Sequence, residues 1–146
     1  MFTLCLNAYE YSFLQTEELV LALAADSPWE RTCNGSPAAN LNDFSHQTCL
    51  FSAGNSVYRK LEKTMLQLHG FTPLDRRVVR ERAALLQMVR DGVGVALLLH
   101  SEAEGDPELR FYRLVPTLPV YHVLAHNKNL PETETVRGLI ELLSRE

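Results

Sequence analysis

The stretch RAALLQMVRDGVGVALLLH (residues 82–100) decides the fold. Leu85, Met88 and Val89 recur at helical spacing, and Gly92 stands just past the last periodic residue, so the first half predicts an amphipathic helix. The apolar run at 95–99 is unbroken, as in a strand covered on both faces. Two glycines so close together suggest a phosphate cradle, but the polarity is wrong. Such a cradle runs strand, glycines, helix, so that free N–H groups and the positive end of the dipole meet the anion. Here a helix C-terminus faces the glycines. Gly92 is therefore read as a left-handed helix cap, and Gly94 as a point of close packing or a sharp turn into the strand.

Outward from this unit the same periods recur. Strands are predicted for FTLCLNA (2–8), EELVLALAA (17–25) and QTCLFSA (47–53). The Asp-, Ser-, Pro- and Asn-rich residues from 25 onward make a long surface connection, with one helical turn near 41–44. NSVYRKLEKTMLQLHG (55–70) is a helix with Val57, Leu61, Met65 and Leu68 on one face. Arg59, Lys60, Glu62 and Lys63 take the other face, and Gly70 ends it. Val78 and Val79 centre a short strand. After 100 come a polar loop (SEAEGDPE), two strands (LRFYRLV and TLPVYHVLAHN) and a last helix. Pro119 suits an edge or irregular start, and Pro131 suits a first helical turn. Val136, Leu139, Ile140 and Leu143 form the last helix's stripe. The order β-β-loop-β-α-β-α-β-β-β-α predicts an α/β sandwich with right-handed crossovers and a largely parallel sheet.

The chain has 146 residues, the size of one ordinary domain, and its 46% hydrophobic content is that of a globular protein. A formal net charge of -4 argues against a dedicated nucleic-acid surface. Cys5, Cys33 and Cys49 are odd in number, widely spaced and without a CxxC. They predict plain buried thiols in a reducing compartment, with no zinc site and no disulfide framework. The opening residues have no basic region, and no apolar run approaches the roughly 18 residues of a membrane span, so a cytoplasmic domain without cofactor or metal is expected.

CLFSAGNSVYRKL (49–61) has the polarity that the Gly-Val-Gly stretch lacks. A strand leads through Ser52, Ala53, Gly54, Asn55 and Ser56 into a helix, with Asn55 or Ser56 as the N-cap. Small residues leave backbone N–H groups open to a carboxylate or similar anion, at the carboxyl end of a strand where open α/β sheets bind ligands. An ordinary capped βα turn accounts for the same residues equally well. In DRRVVRER (75–82) a solvated face is the simplest reading. Arg80, at the carboxyl end of its strand, is the member placed to reach an anion. His100, His122 and His126 have no metal spacing, and no Ser-His-Asp, GxSxG, HExxH or P-loop pattern occurs, so an enzyme is not expected.

LQTEELVLALAADSPWE, LNDFSHQTCLFSAGNSVYRKLEKTMLQLHGFTP, LLQMVRDGVGVALLLHSEA and the closing strand-strand-helix stretch follow one another as in a known family. The chain resembles the C-terminal half of LysR-type transcriptional regulators over its whole length. The resemblance implies a periplasmic-binding-protein-like (type 2) effector domain, with the second subdomain complete at residues 21–113. Residues 1–20 and 114–146 would form a partial first subdomain, with a ligand cleft between the two. It implies that the loop at Ser52, Ala53, Gly54, Asn55 and Ser56 contacts a small effector, and that the chain dimerises. DNA would be bound only through a helix-turn-helix that this N-terminally truncated sequence lacks. Two positions depart from the pattern: His100 stands where the family usually has proline, and Arg82 stands where a capping Ser or Thr is common. The rival expectations are a free-standing solute-binding module, an α/β enzyme acting on a phosphorylated substrate, and a remnant that only associates.

Overall fold

A computed structural model describes residues 3–6, 9–28, 38–54, 56–127 and 134–143. Among the described residues the strands are β1 (Thr3–Leu6), β2 (Tyr9–Ala24), β3 (Ala38–Ala39), β4 (Thr48–Ser52), β5 (Asp75–Val79), β6 (Val95–Leu99), β7 (Leu109–Leu114) and β8 (Pro119–Asn127). The helices are α1 (Val57–His69), α2 (Arg82–Arg90), the one-turn α3 (His100–Ala103) and α4 (Glu134–Leu143), with a 3-10 turn at Leu41–Phe44. The chain divides into two compact units, Glu18–Leu118 and Met1–Glu17 with Pro119–Glu146.

In the larger unit the strands lie in the order β3-β7-β2-β6-β4-β5. The sheet is mixed through one strand only, and the expected largely parallel arrangement holds for the other five. Strands β3, β7, β6, β4 and β5 all run the same way, with β4, β5 and β6 forming an adjacent parallel block, and β2 alone runs against them, antiparallel to both β6 and β7. The helices α1 and α2 serve as crossovers among β4, β5 and β6, and α3 with the loop after it carries the chain past β2 to β7, which runs in the same direction as β6. On one face Val20, Ala22, Leu50, Ala96 and Leu98 pack against Leu85 and Val89 of α2 and Ala103 of α3. On the other, Leu21, Phe51 and Leu97 meet Leu41, Leu66 and Phe71. Each fully buried Leu or Phe contributes about 1.5–3 kcal/mol relative to exposure.

The Gly-Val-Gly stretch behaves as its polarity requires. Gly92 has φ of 76°, and the Gly92 and Val93 amides donate to the carbonyls of Val89 (3.1 Å) and Met88 (3.0 Å), closing α2 with a left-handed cap. At Gly94 a Cβ would stand 2.5 Å from the Thr48 carbonyl oxygen, so β6 approaches β4 only because that carbon is missing.

Helix α1 departs from its expected orientation. Its buried residues are Glu62, Met65 and His69, whereas Val57 and Leu68, assigned to the apolar face, are exposed. The buried face is thus rotated from the apolar stripe and carries two ionisable side chains, each with a partner. His69 Nδ1 accepts from the Leu41 amide at 3.2 Å, which leaves Nε2 to donate to the Pro116 carbonyl at 2.7 Å. The polar loop expected after 100 begins instead with α3, where Glu102 reaches back to the Leu99 amide at 2.9 Å. His100 is the first helical residue, the position at which a proline is tolerated because its missing N–H has no helical partner. Cys49 is buried as expected, and burial together with the Asp75 charge pushes its thiol up to about 11. The side chain of Cys5 and the whole of Cys33 lie outside the described residues.

In the smaller unit the N-terminal part of β2 pairs with β1 in antiparallel register, Thr3 opposite Ser12 and Leu6 opposite Tyr9, and also pairs with β8. The expected two short strands are therefore one short strand and one of sixteen residues. Between β2 and β8, His122 bonds Glu17, His126 Nε2 lies 3.5 Å from Glu10, and Phe13 meets Tyr121 edge-on at 6.0 Å. These two histidines are partners of carboxylates across the strands. Leu139 of α4 is exposed, while Pro131 and the side chains of Val136, Ile140 and Leu143 lie outside the described residues.

Candidate functional site

The parallel block ends its strands side by side. Ser52 pairs with Val79, so the loop after β4 and the first residue after β5, Arg80, emerge at the same end of the sheet. The C-terminus of β6, at Leu99, belongs to the same parallel set.

Ser52 is buried, Ala53 is half-buried and Gly54 is exposed with φ of 72°, a left-handed turn that lets the chain leave the strand and enter α1. Asn55 lies outside the described residues. Ser56 is the N-cap of α1, its side-chain oxygen accepting from the Arg59 amide at 3.1 Å. By helix geometry the Val57 and Tyr58 amides have no partner within α1, so two donors and the positive end of the dipole open onto the loop. Arg80 is exposed and, among the described residues, forms no ion pair.

Four residues that were not candidates complete the arrangement. Glu62, 1% exposed, reaches back from α1, and its two carboxylate oxygens accept from the Ser52 amide at 3.0 and 3.1 Å. Its Oε2 also accepts from the Ser52 hydroxyl at 3.1 Å. Arg82, the first residue of α2, donates from Nη1 to Ser52 Oγ at 3.1 Å. Its other nitrogens clamp Glu102 at 2.9 and 2.6 Å, and its guanidinium stacks 3.8 Å from the Tyr58 ring centre. Burial pushes the Glu62 carboxyl up from the usual carboxylate range, while the Ser52 hydrogen bonds and the charges of Arg82 and Arg59 oppose that shift.

A signal for Glu62 was present in the sequence: Glu62, Met65 and His69 share one helical face by spacing. A polar-versus-apolar count hides it, because it places every charge outside. Arg82 stood out as a departure from a capping residue, and α2 indeed starts without a side-chain cap. The arginine binds across to Ser52 and Glu102 instead. Among the described residues no group of His, Cys, Asp and Glu is arranged to hold a metal ion, and no helix is long and apolar enough to cross a membrane.

The LysR substrate binding domain family matches residues 6–146. This chain belongs to that family. Its architecture is the periplasmic-binding-protein-like type 2 α/β fold of LysR effector domains. The regulatory domain of Synechocystis PCC6803 CcmR, solved in complex with 2-PG, superimposes with a TM-score of 0.75 at 15% identity, covering 94% of this chain and 66% of that one. The effector binding domain of QuiR, in complex with shikimate, gives 0.72 at 19% identity, covering 94% and 65%. The BenM effector binding domain with its effector benzoate gives 0.69 at 21% identity, covering 97% and 64%. This LysR-family chain thus spans slightly less than two thirds of each of those domains. A comparison with curated protein sequences gives no match.

Proposed function

We propose that the chain is the effector-sensing and dimerising part of a LysR-type transcriptional regulator and binds a small anionic ligand without chemical turnover. Membership of the LysR substrate-binding family over residues 6–146 carries this reading. The unit Glu18–Leu118 corresponds to the second effector subdomain and the unit Met1–Glu17 with Pro119–Glu146 to part of the first. The boundaries expected from sequence were 20/21 and 113/114. The ligand is read by the loop of Ser52, Ala53, Gly54, Asn55 and Ser56, with Arg80 beside it. Three features support an anion there: two amides at the head of α1 with no partner within the helix, the positive end of its dipole, and an exposed arginine at the same strand ends. DNA contact belongs to a helix-turn-helix domain of the whole regulator. The ligand acts by preferring one of the regulator's conformations and shifting their populations.

Ser56→Asp and Gly54→Asp test the loop. Aspartate is as good an N-cap as serine and tolerates a left-handed backbone better than most residues, so both variants fold. The added carboxylate repels an anion. In a thermal-shift screen of small carboxylates, stabilisation of the parent chain is expected to vanish in both variants. Undiminished shifts overturn the loop assignment.

A further inference from the structure

Every hydrogen-bonding group that Ser52 could offer an anion is already engaged inside the protein. Its amide is held by both oxygens of Glu62, its hydroxyl proton goes to Glu62 Oε2 at 3.1 Å, and its oxygen accepts from Arg82 at 3.1 Å. A ligand touching Ser52 would have to break a buried hydrogen bond, which costs about 1–3 kcal/mol for the group left unpaired. The open donors lie one turn away, at the start of α1. The Glu62 carboxylate belongs to the same helix, buried and bonded to Ser52, the strand residue that leads into the loop. Around it are Ser52 from β4, Arg59 from its own helix, and Arg82 from α2, which Glu102 of α3 neutralises.

We infer that Ser52 is a positioning residue of the loop rather than a ligand contact, and that Glu62 behind it makes the loop discriminate among anions by charge, disfavouring dianions more than monoanions. The inference rests on the reading above that this loop receives an anion. It differs from that reading by removing Ser52 from the contacts and by naming a charge filter. A fixed negative charge within a few ångströms of a bound anion opposes it in proportion to the ligand's own charge. Burial already pushes the Glu62 carboxyl up, so anion binding is coupled to a proton there. A bound anion favours the protonated acid, and an ionised Glu62 weakens the anion.

The test uses the full 146-residue chain, with benzoate as monoanion and sulfate as dianion. Both probes keep their charge from about pH 5.5 to about pH 8.5. Binding is followed at constant ionic strength by the NMR shifts of the Gly54, Val57 and Tyr58 amides. Glu62→Gln keeps an acceptor for the Ser52 amide but not the charge. At the upper pH it binds sulfate on the order of tenfold more tightly than the parent chain does and benzoate roughly threefold more tightly. Ser52→Ala leaves benzoate affinity within about twofold, since a contact worth one hydrogen bond would cost more. Equal gains for sulfate and benzoate in Glu62→Gln, or no gain for either, overturn the charge filter, and loss of benzoate binding in Ser52→Ala overturns the exclusion of Ser52 from the ligand contacts. If neither probe moves these amides in any variant, the inference fails. The effector reading then stands or falls separately, on the carboxylate screen and its Ser56→Asp control.

Discussion

Glu62 belongs to a helix whose neighbouring lysines face water, yet its carboxylate is 1% exposed and holds both donors of Ser52. Truncation to alanine leaves the Ser52 amide unpaired and a void beneath it, so Glu62→Ala should cost about 2–4 kcal/mol of unfolding free energy. Glu62→Gln retains an acceptor and should cost far less at neutral pH. The pH dependence separates the two effects. The folded-state pKa is raised, so the folded protein binds a proton that the unfolded chain has released. Stability is fully present below the ordinary glutamate value of about 4.3 and declines as pH rises through the folded value. Urea unfolding across this range should show the decline in the parent chain and its absence in Glu62→Gln. An identical pH dependence in both would mean that Glu62 ionises as freely folded as unfolded.

At the scale of elements, α2 and β6 are joined by two glycines with different physical duties. At Gly92 a Cβ would stand 4.0 Å from that of Ala24, an ordinary contact, but φ is 76°, so Gly92→Ala meets chiefly backbone strain, about 1 kcal/mol. Gly94 has an ordinary φ but no room, because the Thr48 carbonyl lies 2.5 Å from where a Cβ would be. That neighbour is backbone of the central strand β4 and cannot swing aside. Gly94→Ala should therefore be the more damaging variant, at about 2–3 kcal/mol, and chemical denaturation of the pair should rank them in that order. The reverse ranking would show that the β4–β6 separation is soft. The same junction explains why a GxG between helix and strand binds nothing. One glycine ends the helix, and the other lets two strands touch.

At the scale of the molecule, β5 is an outer strand of the larger unit's sheet and carries an unusual surface. Leu74, just before it, is 77% exposed and Val78 within it is 56% exposed, with Arg76 and Arg77 between them and Arg80 just beyond. Outer strands with exposed apolar residues tend to be covered by another chain. Under the dimerisation proposal, Leu74→Lys with Val78→Lys should lower the molar mass measured by light scattering to that of the monomer. The melting temperature of dilute protein should stay unchanged, because neither side chain packs in the core. A monomeric parent chain would remove β5 from the argument.

Periodicity by itself determined the helices α1 and α2 and the strands β4 to β7, but not α3, β3 or the length of β2. The spacing of Leu85, Met88 and Val89, the unbroken run at 95–99 and the glycines past α1 and α2 all report on hydrogen bonds made within a few residues, where sequence neighbours are also spatial neighbours. The ordered set of motifs carried the LysR likeness for the same reason, since it is a succession of such local units. Tertiary structure alone decided the direction of β2 against β6 and β7, the inward turn of Glu62, and the use of Arg82 to bind Ser52 and Glu102. Those partners lie 10, 30 and 20 residues apart in the chain. Spacing puts Glu62 on one face with Met65 and His69, but nothing local to it supplies the partner that burial requires. An ionisable group goes inside only where another segment supplies its hydrogen bonds, and only the assembled sheet brings the end of β4 to it.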